Sequence, residues 1–341
     1  MRNVDFAAVV MVPGGGHFTS NSELQSSDFT SPGLARPRRS SFLPILGNDI
    51  LQTWTKRVHK LGMQHLWVTS TPRDPRDVYS TLHGFPLRGV ARFLVIKLNS
   101  YAEMDLADLI RFHCQTGSTV TEVNDSRGRL GICVFDQLPT CTAPTRRKTA
   151  VVPENPPRAY PFHGYAKRIL SARERQELVG DALTGACAMR PSGTEIREQV
   201  WIGANVTLSD SVRLIGPSFI GDGTVIRAGA TIGPFASVEH DCVVDSGTTV
   251  QRSTILPGTY MAPGLRIRRA LVDGGSLEDL SSGAVADLHS GLLARRINRT
   301  VSDPRSCKSD TADLFSDIFP NSGDGAWTRP SSSVEWHQVQ L

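Results

Sequence analysis

The most regular pattern in the chain is an aliphatic residue at every sixth position between residues 196 and 267. That position is filled in turn by Ile202, Leu208, Leu214, Ile220, Ile226, Ile232, Val238, Val244, Val250 and Leu256. Four places further on, small or β-branched residues recur as Val206, Val212, Ser218, Thr224, Ala230, Ala236, Cys242, Thr248 and Thr254. A helix with about 3.6 residues per turn cannot keep such a period on one face, and the spacing of an ordinary β-sandwich would drift. The pattern therefore predicts a solenoid of short strands, a triangular coil over residues 196–293, with corners near Gly223, Gly229, Gly247 and Gly258.

Strand and helix signals alternate over residues 4–136. Apolar runs predict strands at 7–12, 65–69, 92–98, 120–123 and 130–135. Apolar residues at helical spacing predict two helices, at 50–61 and 106–113, which are closed by Gly62 and Gly117. Such alternation is typical of a three-layer α/β domain with a mainly parallel sheet. Ligands of such sheets bind at the carboxyl ends of the strands, so we expect a site beside Gly14, Gly15 and Gly16.

The rest of the chain is predicted to supply connections and a tail. Residues 137–195 are interpreted as a linker rich in Pro, Thr and Arg, followed by a bridging helix. Ser171 is expected to cap that helix, because Glu174 follows it at the spacing of a capping box. The repeats fade over residues 268–293, where we expect the coil to end. Residues 294–341 are predicted to be a disordered tail, since Ser, Asp, Gly and Pro come to dominate there.

Composition narrows the functional classes only slightly. A formal net charge of +4 and a pI of ≈ 8.8 are too small and too evenly spread to favour nucleic acid or a membrane surface as a partner. No apolar run approaches the roughly 20 residues of a membrane span. The run at residues 6–12 is interpreted as a first buried strand rather than a signal peptide, because Asp5 interrupts its charged start and no cleavage site follows. The 6 cysteines show no CxxC pair or metal-ligand spacing, so we expect reduced thiols and a cytoplasmic location.

Three segments of the amino-terminal part of the chain follow one another in a recognisable order. A strand runs into a glycine-rich loop as Val9-Val10-Met11-Val12-Pro13-Gly14-Gly15-Gly16-His17-Phe18, and the next helix is preceded by Ser41-Phe42-Leu43-Pro44-Ile45. A later strand and helix are formed by Phe93-Leu94-Val95-Ile96-Lys97-Leu98-Asn99 and Asp105-Leu106-Ala107-Asp108-Leu109-Ile110-Arg111-Phe112-His113. This order, followed by the hexads, resembles the sugar-1-phosphate nucleotidyltransferase family, such as the mannose-1-phosphate guanylyltransferases and glucose-1-phosphate nucleotidyltransferases. The resemblance implies a truncated Rossmann-like nucleotidyltransferase domain over residues 1–136, followed by a hexapeptide-repeat, left-handed parallel β-helix.

The resemblance also implies a reaction, in which an NTP and a sugar 1-phosphate give an NDP-sugar and pyrophosphate with Mg²⁺ as cofactor. The glycine-rich loop of the family wraps the triphosphate, which makes Gly14, Gly15 and Gly16 nucleotide-binding candidates. Three positions depart from the family's pattern, since a loop arginine, a lysine and a metal-holding aspartate are replaced by Phe18, Ser40 and Asn99. A neutral amide is a weak Mg²⁺ ligand, and the second, sugar-binding half of the family's domain has no room before the linker. We therefore expect a catalytically impaired protein that acts as a regulatory or binding subunit. It would form a homo-oligomer, or a hetero-oligomer with an active family member, through the β-helix.

Two other functions stay open. An active enzyme with a rearranged site would use Arg38 and Arg39 for the phosphates and a carboxylate from Glu103 or Asp105. Acids at the start of a helix more often serve the helix dipole. A hexapeptide acyltransferase would bind CoA and use His240, the one histidine of the hexad region, as its base. We expect His240 to point outward at a corner of the coil instead. His113, on an apolar helix face, is expected to be a packed core residue rather than a ligand.

Overall fold

An apolar first strand lies inside the amino-terminal sheet. The computed structural model describes residues 6–12, 44–63, 65–70, 90–136, 157–288, 294–297 and 337–339. Strand β1 (Phe6–Val12) has parallel neighbours on both sides. From Phe6 to Met11 no side chain is more than 5% exposed, and alternate residues belong to two apolar clusters on the two faces of the sheet. The prediction of a first buried strand is confirmed.

The sheet contains seven strands in the order β26, β2, β1, β3, β6, β5 and β7. In that order their bounds are His337–Val339, His65–Ser70, Phe6–Val12, Arg92–Lys97, Gly128–Asp136, Val120–Asp125 and Arg158–Pro161. Strands β1, β2, β3, β5 and β7 run in one direction, whereas β6 and β26 run against their neighbours. The expected parallel direction therefore dominates, with β5 and β6 forming a hairpin. The edge at which the five parallel strands end is called the carboxyl edge below; the assignment as a Rossmann-like domain stays a prediction.

Three helices are described, and their ends follow local sequence. They are α1 (Ile50–Lys60), α2 (Leu106–Thr116) and α3 (Ala172–Leu183). Gly117 ends α2 in the left-handed conformation, with φ of 60°. At the start of α3 the Glu174 N–H donates to Ser171 Oγ at 3.2 Å, and the Glu174 carboxylate accepts the Leu170 N–H at 2.9 Å. The predicted helices and the predicted cap at Ser171 are confirmed, with the reciprocal bond of Glu174 going to the residue before the cap.

The segments interpreted as a linker and as a tail also contain short strands. The predicted linker, 137–195, supplies β7 to the sheet and β8 (Ala166–Arg168), which pairs with β4 (Ser100–Ala102). In the predicted tail, β25 (Ala294–Arg296) pairs with the coil and β26 pairs with β2. The sequence pattern did not indicate these strands, because such short strands have no periodicity of their own and their partners are distant in sequence. Disorder in the rest of the tail stays a prediction, since those residues lie outside the described ranges.

The hexads fold into three parallel sheets that wind as one coil. Each early strand pairs with the strand three hexads later, as Val200 with Ser218, Thr207 with Val225 and Arg213 with Thr231. The first sheet contains β10 (Val200–Ile202), β13 (Ser218–Ile220), β16 (Ala236–Val238), β19 (Thr254–Ile255) and β22 (Ala270–Asp273). The second contains β11 (Thr207–Leu208), β14 (Val225–Ile226), β17 (Val243–Val244) and β20 (Thr259–Met261). The third contains β12 (Arg213–Leu214), β15 (Thr231–Ile232), β18 (Thr249–Gln251) and β21 (Arg266–Arg268). The arrangement is compatible with a parallel β-helix, and its left hand stays a prediction.

Antiparallel strands flank the coil. Strand β9 (Thr194–Arg197) pairs with β10, and after β22 the chain reverses through β23 (Ser276–Asp279) and β24 (Val285–Asp287). The repeat therefore ends within 268–293, as expected. Gly223, Gly229, Gly247 and Gly258 have φ of 66°, 71°, 69° and 66°, so the predicted glycine corners are confirmed.

The aliphatic hexad positions stack inside the coil, with two corrections. Ile220, Ile226, Ile232, Val238, Val244 and Val250 are at most 1% exposed and share one apolar cluster. Leu208 is 36% exposed, because it lies on β11, the outermost strand of its sheet. Leu256 packs instead against Ala172 and Leu271, and Ile255 takes its place in the column. The column changes register because Val238 pairs with Ile255, so that this turn of the coil falls one position short of three full hexads.

The coil and the α/β part share a core within one compact unit. Phe219 of β13 is fully buried and belongs to the same apolar cluster as Leu178 and Val179 of α3 and Leu94 of the sheet. Helix α3 therefore connects the two parts by packing as well as by sequence.

Two further properties concern the helices and the cysteines of the described residues. None of their helices is long and apolar enough to cross a membrane. The cysteines among them, Cys114, Cys133, Cys187 and Cys242, are free thiols, as expected.

Candidate functional site

Asn99 lies at the carboxyl edge, where the sequence places the candidate site. It follows β3 directly, and the preceding Leu98 N–H donates to the Met11 carbonyl of β1 at 2.8 Å. The end of β1, from which the glycine-rich loop departs, is therefore next to the end of β3. The other candidates of that loop and its surroundings lie outside the described residues: Gly14, Gly15, Gly16, Phe18, Arg38, Arg39 and Ser40.

The Asn99 side chain has a buried oxygen that accepts no hydrogen bond from the described residues. Its Oδ1 atom is buried and has no hydrogen-bond partner among the described residues, while its carbonyl accepts the Ile169 N–H at 2.8 Å. Gly131 faces it in a left-handed conformation with φ of 74°, and a Cβ at that glycine would lie 2.6 Å from Asn99 Oδ1. The amide oxygen thus has the capacity to accept a hydrogen bond from a ligand or to bind a cation weakly.

Carboxylates that could replace the missing aspartate are already engaged. Glu103 accepts from the Tyr101 hydroxyl at 3.2 Å and from the Ala188 N–H, and Asp105 caps α2 through the Ala107 N–H at 2.9 Å. The expectation that an acid at this helix start serves the helix is confirmed for Asp105.

Asp125, at the end of β5, is also occupied. Two nitrogens of Arg168 donate to its two oxygens at 2.9 and 2.8 Å, and this pairing holds the pKa of the Asp125 carboxyl below its ordinary value. In the described part of the chain no group of three or more His, Cys, Asp or Glu side chains could hold a metal ion. The described residues around Asn99 therefore do not fit Mg²⁺, which prefers carboxylate oxygens.

A tight turn that precedes α1 is held by the coil. Ile45 and Asn48 exchange two backbone hydrogen bonds, at 2.9 and 3.0 Å, around Leu46 and Gly47, which have φ of 53° and 73°. Their two N–H groups point at one carboxylate, because Leu46 N donates to Glu239 Oε1 and Gly47 N to Glu239 Oε2, each at 2.9 Å. Glu239 lies in the coil, 193 residues away from Leu46. We call this arrangement the Glu239 clamp.

The carboxylate of the Glu239 clamp is fully buried beside an opposite charge. Glu239 and Arg175 of α3 are both 0% exposed, and Arg175 also donates to the Pro44 carbonyl. Burial raises the pKa of Glu239 and lowers the pKa of Arg175 to about 10, while their mutual attraction opposes both shifts. A third donor, Ser237 Oγ, lies 2.9 Å from Glu239 Oε1. The turn that leads into α1 is therefore positioned by charge and hydrogen bonds from α3 and the coil.

The Glu239 clamp was not predicted, although the amino-acid sequence contains one signal for it. The residue after the aliphatic hexad position is often glycine, as in Gly203, Gly221 and Gly233, but Glu239 occupies it after Val238. In the first sheet the two preceding turns have Gly203 and Gly221 at the equivalent position, and a buried charge there needs a partner that only the fold reveals.

His113 is a packed core residue, as expected. It is 1% exposed, its Nδ1 lies 2.8 Å from Thr121 Oγ1, and its Nε2 lies 3.3 Å from Asp136 Oδ1. Asp136 also accepts from Arg92 at 2.8 Å, and Arg92 begins β3, at the edge opposite the carboxyl edge. Burial lowers the pKa of His113, and the Asp136 carboxylate opposes this shift.

The lowered pKa of His113 predicts a loss of stability in mild acid. The unfolded chain binds the proton more readily, so the stabilisation is present above the ordinary pKa of 6.5 and is lost as pH falls toward the folded-state value. We expect urea unfolding to show a lower free energy of unfolding at mildly acidic than at neutral pH. His113→Gln should reduce this drop, whereas His240→Gln, at an exposed histidine, should not. Equal pH slopes in the wild type and His113→Gln would contradict the assignment.

His240 lies at an outward corner of the coil, as expected. Its side chain is 45% exposed, and its Nδ1 lies 3.1 Å from Asp241 Oδ2. The neighbouring Asp241 has a left-handed φ of 57°, typical of a corner. No contact among the described residues recommends His240 as a catalytic base, and the acyltransferase function stays a prediction.

A shallow polar cavity lies at the same carboxyl edge. It has a volume of ≈ 290 Å³ and is bounded by the β5–β6 turn and by residues 162–167. Its tyrosine, Tyr165, donates to Asp181 of α3 at 2.6 Å, and Lys167 forms ion pairs with Glu177 and Asp181 at 3.1 and 3.3 Å. The polar groups of this cavity thus mainly attach residues 162–167 to α3.

Comparisons with known proteins add one short stretch of similarity. No protein-family model matches the chain. Over 102 residues it is 31% identical to a UTP–glucose-1-phosphate uridylyltransferase of Synechocystis sp., a stretch that is 30% of this chain and 26% of that protein. The chain thus matches about a quarter of the relative's length. This similarity supports a distant nucleotidyltransferase relationship.

Proposed function

We propose that the chain is a nucleotidyltransferase-like protein of sugar-nucleotide metabolism that does not complete nucleotidyl transfer and acts as a regulatory or binding subunit. Its ligands would be a nucleoside triphosphate and a sugar 1-phosphate, bound at the carboxyl edge. The observation that carries the proposal is Asn99, a neutral amide at the end of β3 with no free carboxylate beside it among the described residues. The similarity to a uridylyltransferase supports the reaction class.

The chemistry explains why this site would bind without turnover. Attack of a sugar phosphate on the α-phosphorus of an NTP expels pyrophosphate, and the protein contributes mainly alignment and charge neutralisation. Asn99 offers one uncharged oxygen for that task. Losing one preorganised stabilising group typically costs about 3–4 kcal/mol, or ~10²–10³ in rate. Phe18 and Ser40, where the family has cations, would add to that loss.

The assay that tests this proposal measures pyrophosphate. We expect the purified full chain to release none above background with Mg²⁺, each of the four NTPs in turn and several hexose 1-phosphates. Equilibrium dialysis with the same NTPs should nevertheless detect binding. Absence of any binding would contradict the binding-subunit role.

A gain-of-charge variant provides the second arm. Asn99→Asp should fail to restore turnover, because the phosphate-binding charges and the second half of the sugar site would still be missing. Clear turnover by the wild type would overturn the proposal and favour the active-enzyme alternative. Single alanine replacements of Arg38 and Arg39 would then test whether those arginines serve the phosphates.

Assembly through the coil, as a homo-oligomer or with an active family member, belongs to the same proposal. The first turn of the coil supports it, because Leu208 and Ile215 there are 36% and 42% exposed. Strands β11 and β12 on this turn are the outermost strands of their sheets.

A further inference from the structure

Four arginines lie together at the far end of the coil's third sheet. Arg266 and Arg268 both point outward from β21, on either side of the buried Ile267. Arg269 follows directly at the corner, and Arg252 follows β18, the neighbouring strand. All four arginines are exposed. We call them the arginine cluster.

The strand register brings these side chains within reach of one another. Gln251 pairs with Arg268, and the Arg269 N–H donates to the Gln251 carbonyl at 3.2 Å. Arg252 and Arg269 therefore occupy successive levels of one corner, about 4.8 Å apart as neighbouring strands are. Arg266 and Arg268 occupy alternate positions of one strand, ~7 Å apart. Guanidinium groups that start from these positions can converge on one small ligand.

The arginine cluster lacks the ion pairs that some other arginines of the coil form. Arg227 pairs with Asp245 at 3.4 Å, and Arg296 pairs with Asp273. Among the described residues no carboxylate forms an ion pair with the cluster. The outward positions of the third sheet contain no Asp or Glu; they are Arg213, Ile215, Thr231, Gly233, Thr249, Gln251, Arg266 and Arg268.

One acidic side chain lies near the cluster but is already bound. Asp279 acts electrostatically on Arg269, and its strand β23 pairs with β22. Its Oδ1 accepts the N–H groups of Ser281 and Ser282 at 3.0 and 2.7 Å and the Ser282 hydroxyl at 2.8 Å. Asp279 therefore caps its own turn and leaves the four positive charges largely uncompensated.

Two arginines of the cluster occupy backbone positions whose conformation favours glycine. Arg252 and Arg269 have φ of 49° and 48°, in the left-handed region that disfavours side chains with a Cβ. The equivalent levels of the other corners hold glycine at Gly247 and Gly264, among others. The Arg252 guanidinium is placed 5.1 Å from the centre of the Phe235 ring, one level earlier on the same corner. Two positive charges thus start from neighbouring levels of one corner, each at an unfavourable backbone position.

We propose that the arginine cluster binds a compact phosphate anion with several charges, such as a free oligophosphate group. The planar guanidinium fork matches phosphate oxygens in pairs, and such charge-assisted hydrogen bonds are stronger than neutral ones. The Thr249 hydroxyl and Gln251 amide, on the same face, add neutral donors. The four guanidinium groups start from backbone positions within about 10 Å of one another, which favours a ligand of a few ångströms rather than an extended polymer. This site is separate from the carboxyl edge and does not depend on the proposed nucleotidyltransferase-like function.

Calorimetric titration of the full chain with inorganic tripolyphosphate, at about 50 mM salt, tests the proposal. We expect saturable binding that orthophosphate competes for poorly. The variant Arg252→Gly/Arg269→Gly removes two charges and suits the left-handed backbone, so the coil should stay folded. It should weaken binding at least about tenfold, and Arg268→Ala should do the same.

The matched control is Arg213→Ala, on the same outward face but at the opposite end of the third sheet. It should change the affinity less than about twofold, because Arg213 lies three strand spacings, ~14 Å, from Arg266, and exposed charges are largely screened beyond about that distance at this salt concentration. Equal losses in Arg213→Ala and the cluster variants, or no loss in the cluster variants, would overturn the proposal. So would tight binding of an oligouridylate without binding of tripolyphosphate, which would assign the face to a nucleic-acid polymer. Melting temperatures of all variants verify that affinity is compared between folded proteins.

Discussion

Replacing Glu239 with leucine is expected to lower the free energy of unfolding by about 3–5 kcal/mol. The substitution leaves the Arg175 guanidinium buried without its opposite charge, and both groups are 0% exposed in the wild type. It also removes the acceptor of the Leu46 and Gly47 N–H groups. Because Leu46 is buried, its unpaired N–H costs about 1–3 kcal/mol. Urea unfolding at neutral pH measures the loss.

A double-mutant cycle separates the Glu239 clamp from simple loss of packing. Arg175→Met in the background of Glu239→Leu should recover part of the stability, because replacing both buried charges by apolar groups removes the uncompensated charge. Glu198→Leu is the control, since Glu198 is an exposed glutamate of the same coil. Hydrogen exchange should accelerate at the amides of Leu46 and Gly47 in Glu239→Leu but not in the control. A stability loss below about 1 kcal/mol would show that the clamp does not hold the turn.

Ile226→Asp is expected to be equally severe, with a loss of about 4 kcal/mol or more. Ile226 is 1% exposed at the centre of the coil, on β14 between β11 and β17. A carboxylate there has no partner in the apolar cluster of Ile220, Ile232 and Val244. Loss of the β-sheet signal in circular dichroism, or a melting temperature far below that of the wild type, measures the effect.

The control for Ile226→Asp needs a neighbour that is exposed and makes no ion pair. Arg227 is exposed as the hexad pattern predicts, but it pairs with Asp245 at 3.4 Å. Arg227→Asp would therefore place two carboxylates side by side and would not be silent. Ala228→Asp, at an exposed corner position, is the better control and should change stability by less than about 0.5 kcal/mol. If Ile226→Asp and Ala228→Asp melted alike, the hexad register would be wrong.

Local patterns predicted most of the regular structure. The hexads identified the buried column from Ile220 to Val250. Strand pairing repeats the same register from one turn of the coil to the next, so each aliphatic residue lies directly above its counterpart in the previous turn. The caps at Ser171 and Gly117 were predictable because they depend on residues within one turn of helix. The burial of β1 followed from its apolar composition alone.

The candidate site was predicted only in outline. The position of Asn99 beside the end of β1 followed from the order of strands and the direction of a parallel sheet. Its unpartnered Oδ1, the contact with Gly131 and the engagement of Asp125 by Arg168 depend on packing between elements, so no local spacing could indicate them.

The sequence by itself determined which residues face the interior of the coil, where its corners lie and where the helices begin and end, since each of these depends on neighbours within one repeat or one turn. Only the tertiary structure decided that Ile255 rather than Leu256 enters the column, that β7 and β26 join the sheet, and that Glu239 holds a turn 193 residues away. It also decided that four exposed arginines meet at one corner of the coil. The physical reason is the same in each case. The position and the stability of a buried charge, an edge strand or a cluster of like charges depend on partners that are distant in the chain.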